Sequence, residues 1–309
     1  MPAIASLAEE IQDLKRERNA IVLAHHYQES EIQELADSIG DSLELARKAR
    51  EFDGDVIVFC GVYFMAETAK ILNPEKIVVV PDAEAGCSLV DSCNAEQVAA
   101  YRRRHPDHVV VSYINTSAAV KAESDLICTS RNAVQVVNSI PAGRPVLFLP
   151  DVNLGNYVKK ESGRQNMKIW QGACIVHATF PSRRLLKTMA EHPNALVVAH
   201  PECPQDVLAH ANYIGSTSAL IDWIVKHPHN EFIVMTESGV KHSLLKRAAG
   251  KKCWFVENEN CNCSECPYMK KNTLEKIRDC LRDLTPRLEL SATLMERARL
   301  PIERMLALK

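Results

Sequence analysis

AIVLAHHYQ (residues 20–28), HVVVSYIN (108–115) and ALVVAHPE (195–202) share one construction: an apolar, β-branched run closing on a polar cluster. The clusters are His25-His26-Tyr27, Tyr113-Ile114-Asn115 and His200-Pro201-Glu202, and their first residues lie 88 and 87 positions apart. A second station keeps that spacing: Gly40-Asp41-Ser42, Cys128-Thr129-Ser130 and Gly215-Ser216-Thr217 each lead into a helical pattern. Further runs begin near Asp55, Arg144 and Glu231, then near Lys76, Lys168 and Lys252, and each last run is followed by cysteine: Cys87, Cys174, and the group Cys261, Cys263 and Cys266. Self-similarity at a fixed period marks a repeated supersecondary unit.

Nine such runs alternate with helical segments such as EIQELADSI, MAETAKIL and LLKTMAEH. Continuously apolar interiors belong to strands covered on both faces, which implies parallel sheets. The pattern predicts an α/β protein: three homologous three-layer α/β/α units with small parallel sheets, in pseudo-threefold arrangement around a central active site. The expected divisions are residues 1–93, 94–179 and 180–270, with 271–309 as a helical strap. Open parallel sheets collect ligands beyond the carboxyl ends of their strands, where all the stations fall.

Composition narrows the functions available. Lys and Arg number 37 against 39 Asp and Glu, a net charge of −2, which disfavours a nucleic-acid or anionic-membrane surface driven by bulk charge. Any anionic ligand must be met locally. No apolar run approaches the roughly 18 residues of a membrane span, and the first residues form an amphipathic charged pattern, so a cytoplasmic protein is expected. Eleven cysteines in 309 residues are too few for a disulfide scaffold and odd in number. In a reducing compartment, clustered thiols read as metal ligands or reactive groups.

One cysteine per unit would give a metal or iron–sulfur site three protein thiolates and an open position for a Lewis-acid role. Cys60, Cys128, Cys203, Cys253 and Cys280 read as packing residues and Cys93 as undecided, while the CxCxxC run of Cys261, Cys263 and Cys266 is compatible with a cluster ligand, a partial zinc knuckle or a thiol switch. Ser42, Ser130 and the Ser216-Thr217 pair, at predicted helix starts, are candidates to cradle carboxylate or phosphate. His25, Tyr27, Tyr113, His200 and Glu202 supply candidate acids and bases. Neither a GxGxxG nor a Walker-A spacing occurs, which disfavours nucleotide binding.

Together the motifs AHHYQ, IGDSLELA, FMAETAKIL, EAGCSL, SYINTSAAVKA, CTSRNA, LPDVNLG, WQGACIVH, HPEC, IGSTS and ECPYMKKNTLEKI give nearly the whole chain a resemblance to the quinolinate synthase family. The resemblance implies an enzyme of de novo NAD biosynthesis that condenses iminoaspartate with dihydroxyacetone phosphate to quinolinate, phosphate and water. It implies a [4Fe-4S] cluster on Cys87, Cys174 and Cys266 with one open iron, although the repeat spacing alone would choose Cys261 over Cys266. His25, Ser42, Tyr113, Asn115, Ser130, His200, Glu202 and Thr217 fall on the family's substrate-contacting motifs, and Tyr27, His200, Glu202 and Tyr113 are the implied catalytic groups. Cys261 and Cys263 remain candidates for a redox-sensitive pair. The enzyme that supplies iminoaspartate is the implied protein partner. One departure is Ala178, where the family commonly has an acidic residue.

Overall fold

The computed structural model describes residues 2–256 and 264–308, which leaves Cys261 and Cys263 outside the described residues. Twelve strands form three four-stranded sheets, every pair parallel. The first contains β1 (Ala20–His25), β2 (Ser38–Gly40), β3 (Val56–Cys60) and β4 (Ile77–Val79), in spatial order β2-β1-β3-β4. The second contains β5 (Val109–Tyr113), β6 (Leu126–Cys128), β7 (Val146–Leu149) and β8 (Met167–Ile169), in the order β6-β5-β7-β8. The third contains β9 (Leu196–Ala199), β10 (Tyr213–Ile214), β11 (Glu231–Met235) and β12 (Lys252–Phe255), in the order β10-β9-β11-β12. The fold is thus α/β with the same small parallel sheet built three times.

The nine apolar runs supply nine of these strands. The other three, β2, β6 and β10, end at or just before the second stations, and β2 corrects the helical reading of EIQELADSI: the helix stops at Leu35, and Ser38 and Ile39 are strand. They are edge strands of two or three residues. Their register explains why two stations recur together: His25 pairs with Gly40, Tyr113 with Cys128, and Ala199 with Ile214. Each polar cluster therefore lies beside the second station of its own unit, at the carboxyl end of a central strand.

The helix Ser42–Glu51 starts on a capping box, with Asp41 accepting from Leu43 and Glu44 while Glu44 accepts from the Asp41 backbone. Ser216 caps Thr217–Lys226. The second unit breaks the pattern, because Ser130 lies in a turn closed by Thr129 and Asn132, and its helix begins only at Ala133. The expectation of three equivalent helix starts is corrected here: Asp41 already occupies two backbone donors of the first, and the second is not at Ser130.

One apolar cluster takes in residues of all three sheets, among them Leu23, Phe59, Val111, Phe148, Val198 and Phe232. Near the carboxyl end of the chain, Leu274–Asp283 packs on Pro2–Glu17 and β3, and Ala292–Ala307 packs on Ala118–Ala122, β6 and Tyr63–Leu72. Cys60, Cys93, Cys128, Cys203 and Cys280 are buried in apolar clusters and Cys253 is partly buried against one, as packing residues should be.

Between the first and third units the seam is polar. His26 is buried, with Nδ1 2.9 Å from Ser243 Oγ and Nε2 3.1 Å from Ser218 Oγ, and Ser216 donates to Asp41 at 2.9 Å. Burial and the Arg247 charge hold the His26 pKa down at about 4 despite Glu44 and Asp222. The unfolded chain takes up a proton there that the folded chain refuses. Stability is therefore retained above pH 6.5 and falls as the pH drops towards 4, by on the order of 3 kcal/mol from this residue. Urea midpoints measured between pH 7.5 and 4.5 should decline accordingly, and His26→Gln should lower the midpoint at pH 7.5 while flattening that decline.

Candidate active site

Each sheet aims the ends of its strands at one central cavity. From the first unit come His25, Tyr27, Ser42 and Cys87; from the second, Tyr113, Asn115, Ser130 and Cys174; from the third, His200, Glu202, Thr217 and Cys266. Every site residue implied by the family resemblance lines this cavity, whereas Ser216, read as part of an anion cradle, does not: it caps its own helix and donates to Asp41. Sequence reasoning did not assign Asp41, His177 and Glu237, which line it as well, or Thr236 directly behind it.

The imidazoles are fixed by their own chains. The Tyr27 backbone N–H donates to His25 Nδ1 at 3.2 Å, and that of Glu202 donates to His200 Nδ1 at 3.4 Å. A neutral ring that accepts on Nδ1 carries its proton on Nε2, so each presents an N–H donor. Burial keeps both rings neutral: it is the main cause of the fall in the His200 pKa to about 3, with His177 adding to it, and it also takes His25 well below the usual range. These histidines can polarise a ligand oxygen without bringing charge. Asn115 Oδ1 is buried and has no hydrogen-bond partner among the described residues, so a ligand donor is needed to satisfy it.

Glu202 is the one strongly acidic group here. Burial pushes its carboxyl up, but His200 and His177, with hydrogen bonds from His177 and Tyr113, outweigh burial and keep it ionised. Tyr113 donates its hydroxyl to Glu202 Oε1 at 2.6 Å, and His177 Nδ1 lies 3.0 Å from Oε2. An ionised carboxylate only accepts, so His177 Nδ1–H is the donor. The remaining nitrogen of a neutral His177 then accepts from Thr236, 3.0 Å away. Thr236 in turn meets the Tyr27 hydroxyl at 3.0 Å, and Tyr27 meets Thr217 at 2.7 Å. All the protons along Thr217, Tyr27, Thr236 and His177 point towards Glu202. Tyr27 can accept a proton from a ligand by passing its own through Thr236 to His177, where the imidazolium faces a carboxylate.

The thiols share a local construction. The sulfur of Cys87 is approached by the backbone N–H groups of Leu89 and Val90, that of Cys174 by Val176 and His177, and that of Cys266 by Tyr268 and Met269. In each case the donors sit two and three residues on, a cradle that favours thiolate. Burial works against it, pushing the Cys87 thiol up to about 12, Cys266 to about 11 and Cys174 well above the usual range. Three thiolates can share this site only with a cation among them, so the donors fit a thiophilic metal group. Cys174 Sγ, a His177 nitrogen and a Glu202 oxygen also lie within 4.8 Å of one another, close enough to hold a metal ion.

Fold and site define a class: a protein of three α/β repeats around a buried thiol, imidazole and carboxylate centre that can hold a metal and move protons. The family model described as Quinolinate synthetase A protein matches residues 9–307. Quinolinate synthase of Prochlorococcus marinus (strain MIT 9303) is 54% identical over 300 residues, 97% of this chain and 90% of that protein. That of Microcystis aeruginosa is 54% identical over 299 residues, covering 96% and 93%, and that of Thermosynechococcus vestitus 53% over 309 residues, covering 99% and 96%. The chain belongs to the quinolinate synthetase A family and is an enzyme.

Titrating the metal-free chain with Co²⁺ under anaerobic conditions should give thiolate-to-metal charge-transfer absorption with release of protons, and Cys174→Ser should weaken both. Absorption typical of oxygen and nitrogen ligands alone would contradict the thiol centre.

Proposed function

We propose that this chain condenses iminoaspartate (iminosuccinate) with dihydroxyacetone phosphate to give quinolinate, phosphate and water, as a step of de novo NAD biosynthesis in the cytoplasm. A [4Fe-4S] cluster on Cys87, Cys174 and Cys266 is the cofactor of this reading. The observation that carries it is the thrice-repeated thiol cradle, which brings one cysteine from each unit into the same cavity as the family's acid and base positions. Bound there, such a cluster supplies a Lewis-acidic open position.

The chain's own residues account for the rest. Ser42 and Ser130 offer hydroxyl donors to a small dianion, and the helix that begins at Thr217 adds its positive end. His25 and His200 hold ligand oxygens through Nε2–H, and Asn115 satisfies its buried oxygen on a ligand donor. Phosphate loss, carbon–carbon bond formation, imine closure and dehydration all require protons to be removed at carbon and delivered to departing oxygen. Tyr27 takes those protons up or returns them through Thr236 to His177, and Glu202 stabilises the charged imidazole. Tyr113 keeps Glu202 hydrogen-bonded and aimed. The enzyme that releases iminoaspartate is the partner this reading favours.

Anaerobic reconstitution should give about four iron and four sulfide per chain, with incorporation lost in Cys87→Ser, Cys174→Ser and Cys266→Ser but kept in Cys261→Ser. Loss in Cys261→Ser with retention in Cys266→Ser would overturn the ligand choice. Tyr27→Phe should lower kcat at least about a hundredfold with the cluster intact. Absence of quinolinate from the fully reconstituted parent would overturn the reaction.

A further inference from the structure

The three units share one further position, two residues beyond the ends of β3, β7 and β11, where Val62, Asp151 and Glu237 stand. Asp151 and Glu237 are both fully buried. Each carboxylate bridges two backbone donors. Asp151 Oδ1 accepts from Leu154 at 2.6 Å, where it caps the helix Val152–Ser162, while Oδ2 accepts from the Cys174 N–H at 3.2 Å. Glu237 Oε2 accepts from Gly239 at 2.6 Å, while Oε1 accepts from the Cys266 N–H at 3.0 Å. One oxygen is anchored to the carboxylate's own turn and the other reaches across to the cysteine of the same unit.

We propose that Asp151 and Glu237 are positioning residues that fix the backbones of Cys174 and Cys266, so that both thiols are held ready for the metal group before it binds. A buried carboxylate that satisfies two N–H groups is costly to displace, because the freed donors have no water to turn to. Groups behind a ligand that orient it in this way govern metal affinity nearly as strongly as the ligand itself. The first unit is built differently. The Val62 side chain has no acceptor, and the Cys87 loop is tied instead to the Cys174 loop: Ser88 Oγ donates to Ala173 O at 3.2 Å and accepts from the Ile175 N–H at 3.2 Å. Cys87 thus takes its position partly from Cys174, so the Asp151 tie supports two of the three thiols and the Glu237 tie supports one.

The metal half of this inference rests on the cluster reading above; the backbone half does not, and the test separates them. Asp151→Ser keeps a helix cap but is too short to reach Cys174, and Glu237→Gln can accept from only one of its two donors. Ser291→Ala, which removes a cap at the helix Ala292–Ala307, serves as a purely structural control. In the metal-free full chain, hydrogen exchange should accelerate about tenfold or more at the Cys174 amide in Asp151→Ser and at the Cys266 amide in Glu237→Gln, each leaving the other site unchanged. After reconstitution, iron release to a chelator should be about ten- to a hundredfold faster in both variants than in the parent or in Ser291→Ala. Asp151→Ser should show the larger effect. Parent-like exchange at both amides would overturn the positioning role outright. Accelerated exchange with parent-like iron release would overturn its link to the metal. A parent chain that takes up no iron and sulfide would sink the cluster reading, while the exchange arm would still decide whether the carboxylates hold the two loops.

Discussion

Parallel pairing in register is the constraint on which the site depends. Because β1, β5 and β9 are the inner partners of β2, β6 and β10, a polar cluster and a hydroxyl-bearing turn emerge side by side from each sheet. A one-residue slip would turn every side chain to the opposite face. Register is secured by burial on both faces, complete along β3 and β7, and by an apolar core that runs through all three units. With strand ends fixed in this way, acids, bases and thiols far apart in sequence converge without any single long-range contact having to bring them together.

Convergence also explains the electrostatics. A cavity walled by strand ends buries its titratable groups, so His25 and His200 stay neutral and the thiols hold their protons. Glu202 keeps its charge despite burial, because two imidazoles and a tyrosine hydroxyl surround it. That single carboxylate orients the proton path from Tyr27 through Thr236 and His177. Cradles of N–H groups around the sulfurs favour a charge that burial alone opposes, a conflict that a bound metal group would resolve.

Much of this was legible in the sequence because the repeat preserves the order of its stations. The apolar runs identified nine strands, and the 88- and 87-residue spacing placed His25, Tyr113 and His200 at equivalent strand ends. Tyr213–Ile214 escaped because two residues leave no periodicity to detect, and Ser38–Gly40 because its first residues continue the apolar pattern of the helix before it. Ser130 misled because its neighbours resemble a helix start while Asn132 closes a turn first. Asp151 and Glu237 were within reach: LPD and MTE end the second strand of two units at one offset, but CGV in the first unit hides the correspondence. His177 and Thr236 stand at no matched station, and their role depends on three-dimensional contact with Glu202 and Tyr27.

The central claim is that three units contribute one thiolate each to a single cluster and leave one iron open to the ligand held by the surrounding residues. Mössbauer spectroscopy of the chain reconstituted with ⁵⁷Fe, before and after addition of quinolinate, tests it most directly. The account predicts that one iron of about four changes its isomer shift and quadrupole splitting while the others do not. Four iron sites unaffected by the ligand, or a mononuclear iron signal, would contradict it.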